Sequence, residues 1–109
     1  MLINLLDASG VSQKVAILSQ EAVVDHSGTI TATGVAQVLL SANALRSGWV
    51  MENRGSNVMH VNELGTATSG SGSFSIQPSS TFPPYGFPLT TGAVSIIGTI
   101  GDKFTVREW

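Results

Sequence analysis

Gly48–Asn53 (GWVMEN) and Val58–Asn62 (VMHVN), joined by Arg54-Gly55-Ser56-Asn57, are the stretch on which the fold turns. Both flanks alternate in character. Trp49 and Met51 share one face and Val50 and Glu52 the other; Val58, His60 and Asn62 stand opposite Met59 and Val61. Alternation with a period of two marks extended chain, because successive side chains leave a strand on opposite sides. Gly55 can adopt positive φ and Asn57 tolerates it, so the pair predicts a tight β-hairpin. The letters leave open which face is buried.

The same pattern returns at the carboxyl end. Ala93–Gly98 and Lys103–Trp109 flank Thr99-Ile100-Gly101-Asp102, and Val94, Ile96, Phe104 and Val106 alternate with more polar residues. A second hairpin is expected there. Between the two lie a flexible exposed loop, Gly65–Ser73 (GTATSGSGS), and a short strand, Phe74–Ile76, stopped by Pro78. Phe82–Pro88 (FPPYGFP) must be a rigid loop or a sheet edge, since proline has no amide to give to a central ladder. On the amino-terminal side, Val35–Leu40 (VAQVLL) reads as a strand. Ser41–Arg46 reads as a loop or single helical turn, and Asp25–Gly34 (DHSGTITATG) as a turn leading into a short extended link. Gly, Ser, Thr and Val interrupt every helical window. Many short strands separated by turn residues predict an all-β fold, a small β-sandwich or jelly-roll-like barrel. Trp49, Val61, Ile96, Phe104 and Val106 are its expected core.

Residues 1–28 read as an extended N-terminal arm or a first strand, and residues 29–109 as a single β domain. The arm carries apolar patches (MLINLL, VAIL, AVV) without an evident hairpin partner. Val11–Val24 has a loose three-four spacing but fits extended chain as well. Such a segment either joins its own sheet or lies on a neighbouring subunit, where strand addition supplies main-chain hydrogen bonds.

Composition narrows the function classes. The 109 residues make one domain, and charged residues are 11% of them against about 25% in ordinary domains. Mean hydropathy is +0.26. A small, weakly charged module rich in Gly, Ser and Thr predicts association with neighbours, because net charge helps to keep monomers apart. With a net charge of −2 and five scattered basic residues, nucleic-acid binding is not expected. No apolar run approaches the roughly 20 residues of a membrane span, so no membrane partner is expected and the chain reads as made in the cytoplasm.

The inventory for chemistry is thin. Having no cysteine, the chain has no disulfide, thiolate ligand or thiol nucleophile. Asp25-His26-Ser27 has the letters of a triad, but adjacent residues cannot converge on one another, and turn formation explains them better. His60 reads as a half-buried strand residue or a cross-strand hydrogen-bonding partner, without further ligands for a metal. Glu52 and Glu63 would approach one another across the first hairpin, but pairing with Arg46 or Arg54 accounts for them more simply. No catalytic residue, cofactor or metal site is expected. A hydrolase using His26 or His60 is the remote alternative.

Arg46-Ser47-Gly48-Trp49-Val50-Met51-Glu52-Asn53, followed by Val58–Val61 and Asn62-Glu63-Leu64-Gly65, resembles a segment of small tailed-bacteriophage virion proteins. The closing stretch Gly92–Trp109 (GAVSIIGTIGDKFTVREW) is similar to theirs as well. The resemblance covers roughly Ala42–Trp109 and consists of a pattern of β-hairpins rather than catalytic residues. It implies a structural virion protein: a capsid decoration (cement) protein that bridges and stabilises major capsid subunits, working as a homo-oligomer, a trimer rather than a dimer. The alternatives are a neck, tail or head-spike component, or a carbohydrate- or host-surface-binding β module such as a head or tail spike domain. The expected contact residues are Leu2, Ile3, Leu5, Leu6, Val15, Ile17 and Leu18 in the arm, and Phe82, Tyr85 and Phe87 in the aromatic-proline loop.

Overall fold

The computed structural model describes residues 2–6, 12–16, 22–83 and 90–109, and these are all-β. In chain order the strands are β1 (Leu2–Leu6), β2 (Ser12–Ala16), β3 (Val24–Asp25), β4 (Gly28–Thr29), β5 (Gln37–Leu40) and β6 (Trp49–Asn53). They continue with β7 (Met59–Asn62), β8 (Phe74–Ile76), β9 (Thr81–Phe82), β10 (Val94–Ile97) and β11 (Lys103–Glu108). One sheet runs β5-β10-β7-β8. The other runs β3-β11-β6-β9, with β4 also on β11. Every pairing is antiparallel. The sheets close on one core as a small sandwich. Trp49, Met51, Phe82, Phe104 and Val106 enter it from one side, and Leu40, Met59, Val61, Ile76, Val94 and Ile96 from the other. The five expected core residues are all among them. Each fully buried aliphatic or aromatic side chain contributes about 1.5–3 kcal/mol of transfer free energy.

The two expected hairpins are not hairpins. β6 pairs with β11 and β9, whereas β7 pairs with β10 and β8. Residues 54–58 therefore carry the chain from one sheet to the other, and residues 98–102 do the same between β10 and β11. Both flanks of a hairpin would send their apolar faces the same way. Here Trp49 and Met51 confront Met59 and Val61 across the core. Alternation is identical in the two cases, which is why the letters do not separate them.

Asn53 explains the crossover. It is in phase with Trp49 and Met51, so it faces inward, and it is fully buried. A buried amide is costly unless its hydrogen-bonding groups are satisfied. Its Nδ2 donates to the carbonyls of Asn57 (2.8 Å) and Ile76 (2.9 Å), and its Oδ1 accepts from Gly55 N–H (2.9 Å). The amide thus holds the turn that follows it and ties that turn to β8. The second crossover leans on the first: Asp102 Oδ2 accepts from Asn57 N–H at 3.1 Å. A Cβ on Gly55 would sit 2.5 Å from Asp102 Cβ, so the approach requires glycine.

β3 and β4 make one interrupted edge along β11. Arg107 and Glu108 pair with Asp25 and Val24, and Lys103 and Phe104 with Thr29 and Gly28. At the break, Val106 N–H donates to Ser27 Oγ (3.1 Å), so a side chain replaces a main-chain acceptor. Ser27 is itself held by Asp25, whose Oδ1 accepts from both its hydroxyl and its amide. These bonds lower the Asp25 carboxyl from its ordinary range. Asp25-His26-Ser27, expected as a turn, instead interrupts an edge that continues along β11, because Gly28 and Thr29 resume the pairing that Val24 and Asp25 begin.

Within the chain, the described strands of the arm pair with one another and not with the sandwich. β1 and β2 form a two-stranded sheet of their own, with Ile3 opposite Val15, Asn4 opposite Lys14 and Leu5 opposite Gln13. Beyond it, Val24–Thr29 already belongs to the body through β11.

Gly55→Ala is expected to destabilise the protein by about 1–3 kcal/mol, as overpacking does. Urea unfolding measures it, and an unshifted midpoint would mean that the crossover turns are not in contact.

Candidate functional site

Two places on the sandwich concentrate polar chemistry. The first is a buried ion pair at the end where β11 finishes. Arg46 is almost fully buried, and its Nε donates to Glu108 Oε2 at 2.8 Å. Its remaining donors reach the carbonyls of Thr90 (2.8 Å), Gly92 (3.0 Å) and Ser41 (2.6 Å). The other carboxylate oxygen of Glu108 accepts from Asn43 Nδ2 (3.2 Å) and from His26 Nε2 (3.1 Å). A carboxylate only accepts, so His26 carries a proton on that nitrogen. Burial pushes the Glu108 carboxyl up. The hydrogen bonds from Arg46 and Asn43, the guanidinium charge and the bond from His26 outweigh it and hold the group below its usual range. Four of the five N–H donors of Arg46 are directed at protein acceptors, and the cluster ties chain segments together as a structural joint.

The C-terminal residue closes this end. Trp109 exchanges main-chain hydrogen bonds with Gly48, and its indole lies where a Cβ on Gly48 would meet it at 2.6 Å. Trp49 Nε1 donates to Thr90 Oγ1 at 3.3 Å.

The second place is a groove of about 570 Å³ on the outer side of the β5-β10-β7-β8 sheet. Ala36, Gln37 and Val38 form one wall, Glu63–Thr66 the other, and Gly92–Ser95 the floor. Val38 is 63% exposed and Leu64 86% exposed, so the rim is apolar and open to solvent. Among the described residues of the lining Glu63 is the one that carries a charge, and its Oε2 is buried without a hydrogen-bond partner.

The other sequence candidates resolve as follows. His60 receives a cross-strand contact from Ser75 Oγ on β8 (Nδ1, 3.3 Å), the role expected for it. Glu52 and Glu63 are not brought together across a hairpin, because Glu52 lies on β6 and Glu63 follows β7 in the other sheet. Glu52 pairs with Arg54 at 2.8 Å on the surface, and Arg46 is committed to Glu108. Among the described residues, no group of three or more His, Asp or Glu could hold a metal ion. Phe82, expected at an interface, is instead core. It is 5% exposed and stacks at a tilt on Trp49, with ring centroids 5.7 Å apart. It is the inward residue of edge strand β9, opposite Met51, and burial of its ring follows from that register. Tyr85, Phe87, Ile17 and Leu18 lie outside the described residues. Leu2, Ile3, Leu5 and Leu6 lie on β1, and Val15 on β2. The loop at residues 65–73 is exposed as expected, save for Ala67, which is buried and donates its N–H to Ser95 Oγ.

Neither Arg46–Glu108 nor the groove was singled out from the sequence. Residues 46 and 108 are 62 positions apart. The one local signal was Glu108 falling in phase with Phe104 and Val106, which made it a core-facing acid in need of a cation. The chain matches no protein-family model, no curated protein and no solved structure.

The ion pair sets an acid limit. A carboxyl whose folded value is lowered contributes stability that is fully present above its unfolded value, near 4.5, and is lost as pH falls through the folded value. Urea midpoints should therefore fall as the solution is acidified below that point. Glu108→Ala should cost about 3–5 kcal/mol at neutral pH, because it leaves a buried guanidinium unpaired. It should also flatten the acid limb; a variant with the wild-type pH dependence would assign that limb to other groups.

Proposed function

We propose that this chain is a non-enzymatic structural protein of a tailed-phage virion, a capsid decoration protein that bridges and stabilises major capsid subunits. One observation carries the reading: the N-terminal β1–β2 hairpin forms a sheet separate from the sandwich. A lone two-stranded hairpin is marginal in water. One with the sequence LINLL on its first strand gains stability by covering that apolar content against a neighbour. The sandwich then acts as a rigid body and the hairpin as its tether. The low charge of the chain supports the same reading, since close packing against other copies and other virion proteins meets little repulsion. Contacts repeated over a shell add avidity to each one.

Deletion of residues 1–7 removes β1. The sandwich should keep its urea midpoint, while occupancy on purified particles, read by quantitative mass spectrometry, should fall at least ~tenfold. Unchanged occupancy would take the hairpin out of the mechanism, and absence of the wild-type chain from particles would remove the virion reading itself.

A further inference from the structure

We propose that residues 23–27 form a detachable strap, which leaves the edge of β11 as a unit while the sandwich stays folded.

Burial of apolar side chains is what fastens most strands to a core, and this segment has little of it. Residues 23–27 are all exposed, Val23 at 62% and Val24 at 37%. The buried core begins only at Ile30. Among the described residues, the strap is held by polar bonds. Val24 pairs with Glu108 and Asp25 with Arg107. His26 N–H donates to the Val106 carbonyl at 2.8 Å, and its ring donates to Glu108. Val106 N–H returns a bond to Ser27 Oγ, and Asp25 braces Ser27. At an exposed edge such bonds contribute little net, because water replaces them on release. Few buried apolar contacts beside exposed backbone bonds mark a segment that opens well below the global unfolding free energy. The body end of the edge is fastened differently. A Cβ on Gly28 would meet the Phe104 ring at 3.2 Å, and the Thr29 carbonyl accepts from Gln37 Nε2. Ile30 N–H donates to the Asp102 carbonyl, and its own carbonyl accepts from Gly101 N–H. The hinge therefore lies between Ser27 and Gly28. Release adds residues 23–27, about 17 Å of extended chain, to the stretch separating the β1–β2 hairpin from the sandwich. That this length serves as added reach rests on the bridging role proposed above; the strap itself does not.

Native-state amide hydrogen exchange of the full-length protein, read by NMR, tests it. Successive amides of a strand point to opposite neighbours. Val106 N–H faces the strap, so Thr105 N–H faces β6. The amides of His26 and Val106 should exchange at least ~tenfold faster than that of Thr105, through an opening local to the edge. Low urea should leave their rates unchanged, because a local opening exposes little surface. Ser27→Ala removes the acceptor of Val106 N–H and should speed both amides further without moving the urea midpoint of the sandwich. The bond from His26 to Val106 makes Asp25 and Arg107 a non-hydrogen-bonded pair, whose spacing suits a disulfide. In the Asp25→Cys/Arg107→Cys variant, oxidation should slow the His26 and Val106 amides to the Thr105 rate, and reduction should release them. Exchange of both amides at the Thr105 rate, rising with urea in step with it, would overturn the proposal. So would an oxidised variant whose exchange matches its reduced form, or a Ser27→Ala midpoint that falls as exchange rises. Every readout comes from the free protein, so the strap fails or holds independently of occupancy on particles.

Discussion

Arg46 and Glu108 hold together the end of the sandwich at which four chain segments meet. The guanidinium receives the loop after β5 through Ser41 and the approach to β10 through Thr90 and Gly92. Glu108 brings in the end of β11, together with Asn43 and His26. A charge with 0% side-chain exposure is tolerated because it is paired with a carboxylate and has three further carbonyl acceptors. The pair fixes how the two sheets are spaced at this end, and His26 extends its hold to the edge formed by β3.

The opposite end is fastened by a neutral device. Asn53 sits where a core residue would otherwise be and uses its amide to bind the turn that it begins. Asp102 then secures that turn from the second crossover. The two crossovers lie side by side, as β6 beside β11 and β7 beside β10. Pairing is therefore between strands far apart in sequence. The core between the polar clamps is shielded at both ends. Among the described residues, Glu63 in the groove keeps a buried carboxylate oxygen without a hydrogen-bond partner.

The strands themselves were legible. GWVMEN, VMHVN and the Val94–Ile97 and Lys103–Glu108 stretches alternate clearly, and Trp49, Val61, Ile96, Phe104 and Val106 were expected inside, although alternation alone left open which face of the first two is buried. The cross-strand partner of His60 was also readable, because it depends on a strand residue of ordinary character, whereas Asp25-Ser27, of turn-forming types, break an edge that runs on along β11. Phe82 was misplaced since proline around an aromatic signals an edge but not the direction in which the ring points; an edge strand still has an inner face.

Local sequence determined that this chain makes short strands and turns, because alternation, β-branching and Gly/Pro punctuation act over a few residues. It did not determine whether a turn closes a hairpin or crosses between sheets. That choice is made by contacts between distant residues: Asn53 with Ile76, Asn57 with Asp102, and Arg46 with Glu108. The candidate groove belongs to the same class. Its walls come from residues 36–38, 63–66 and 92–95, and only the packed sheets bring them into register.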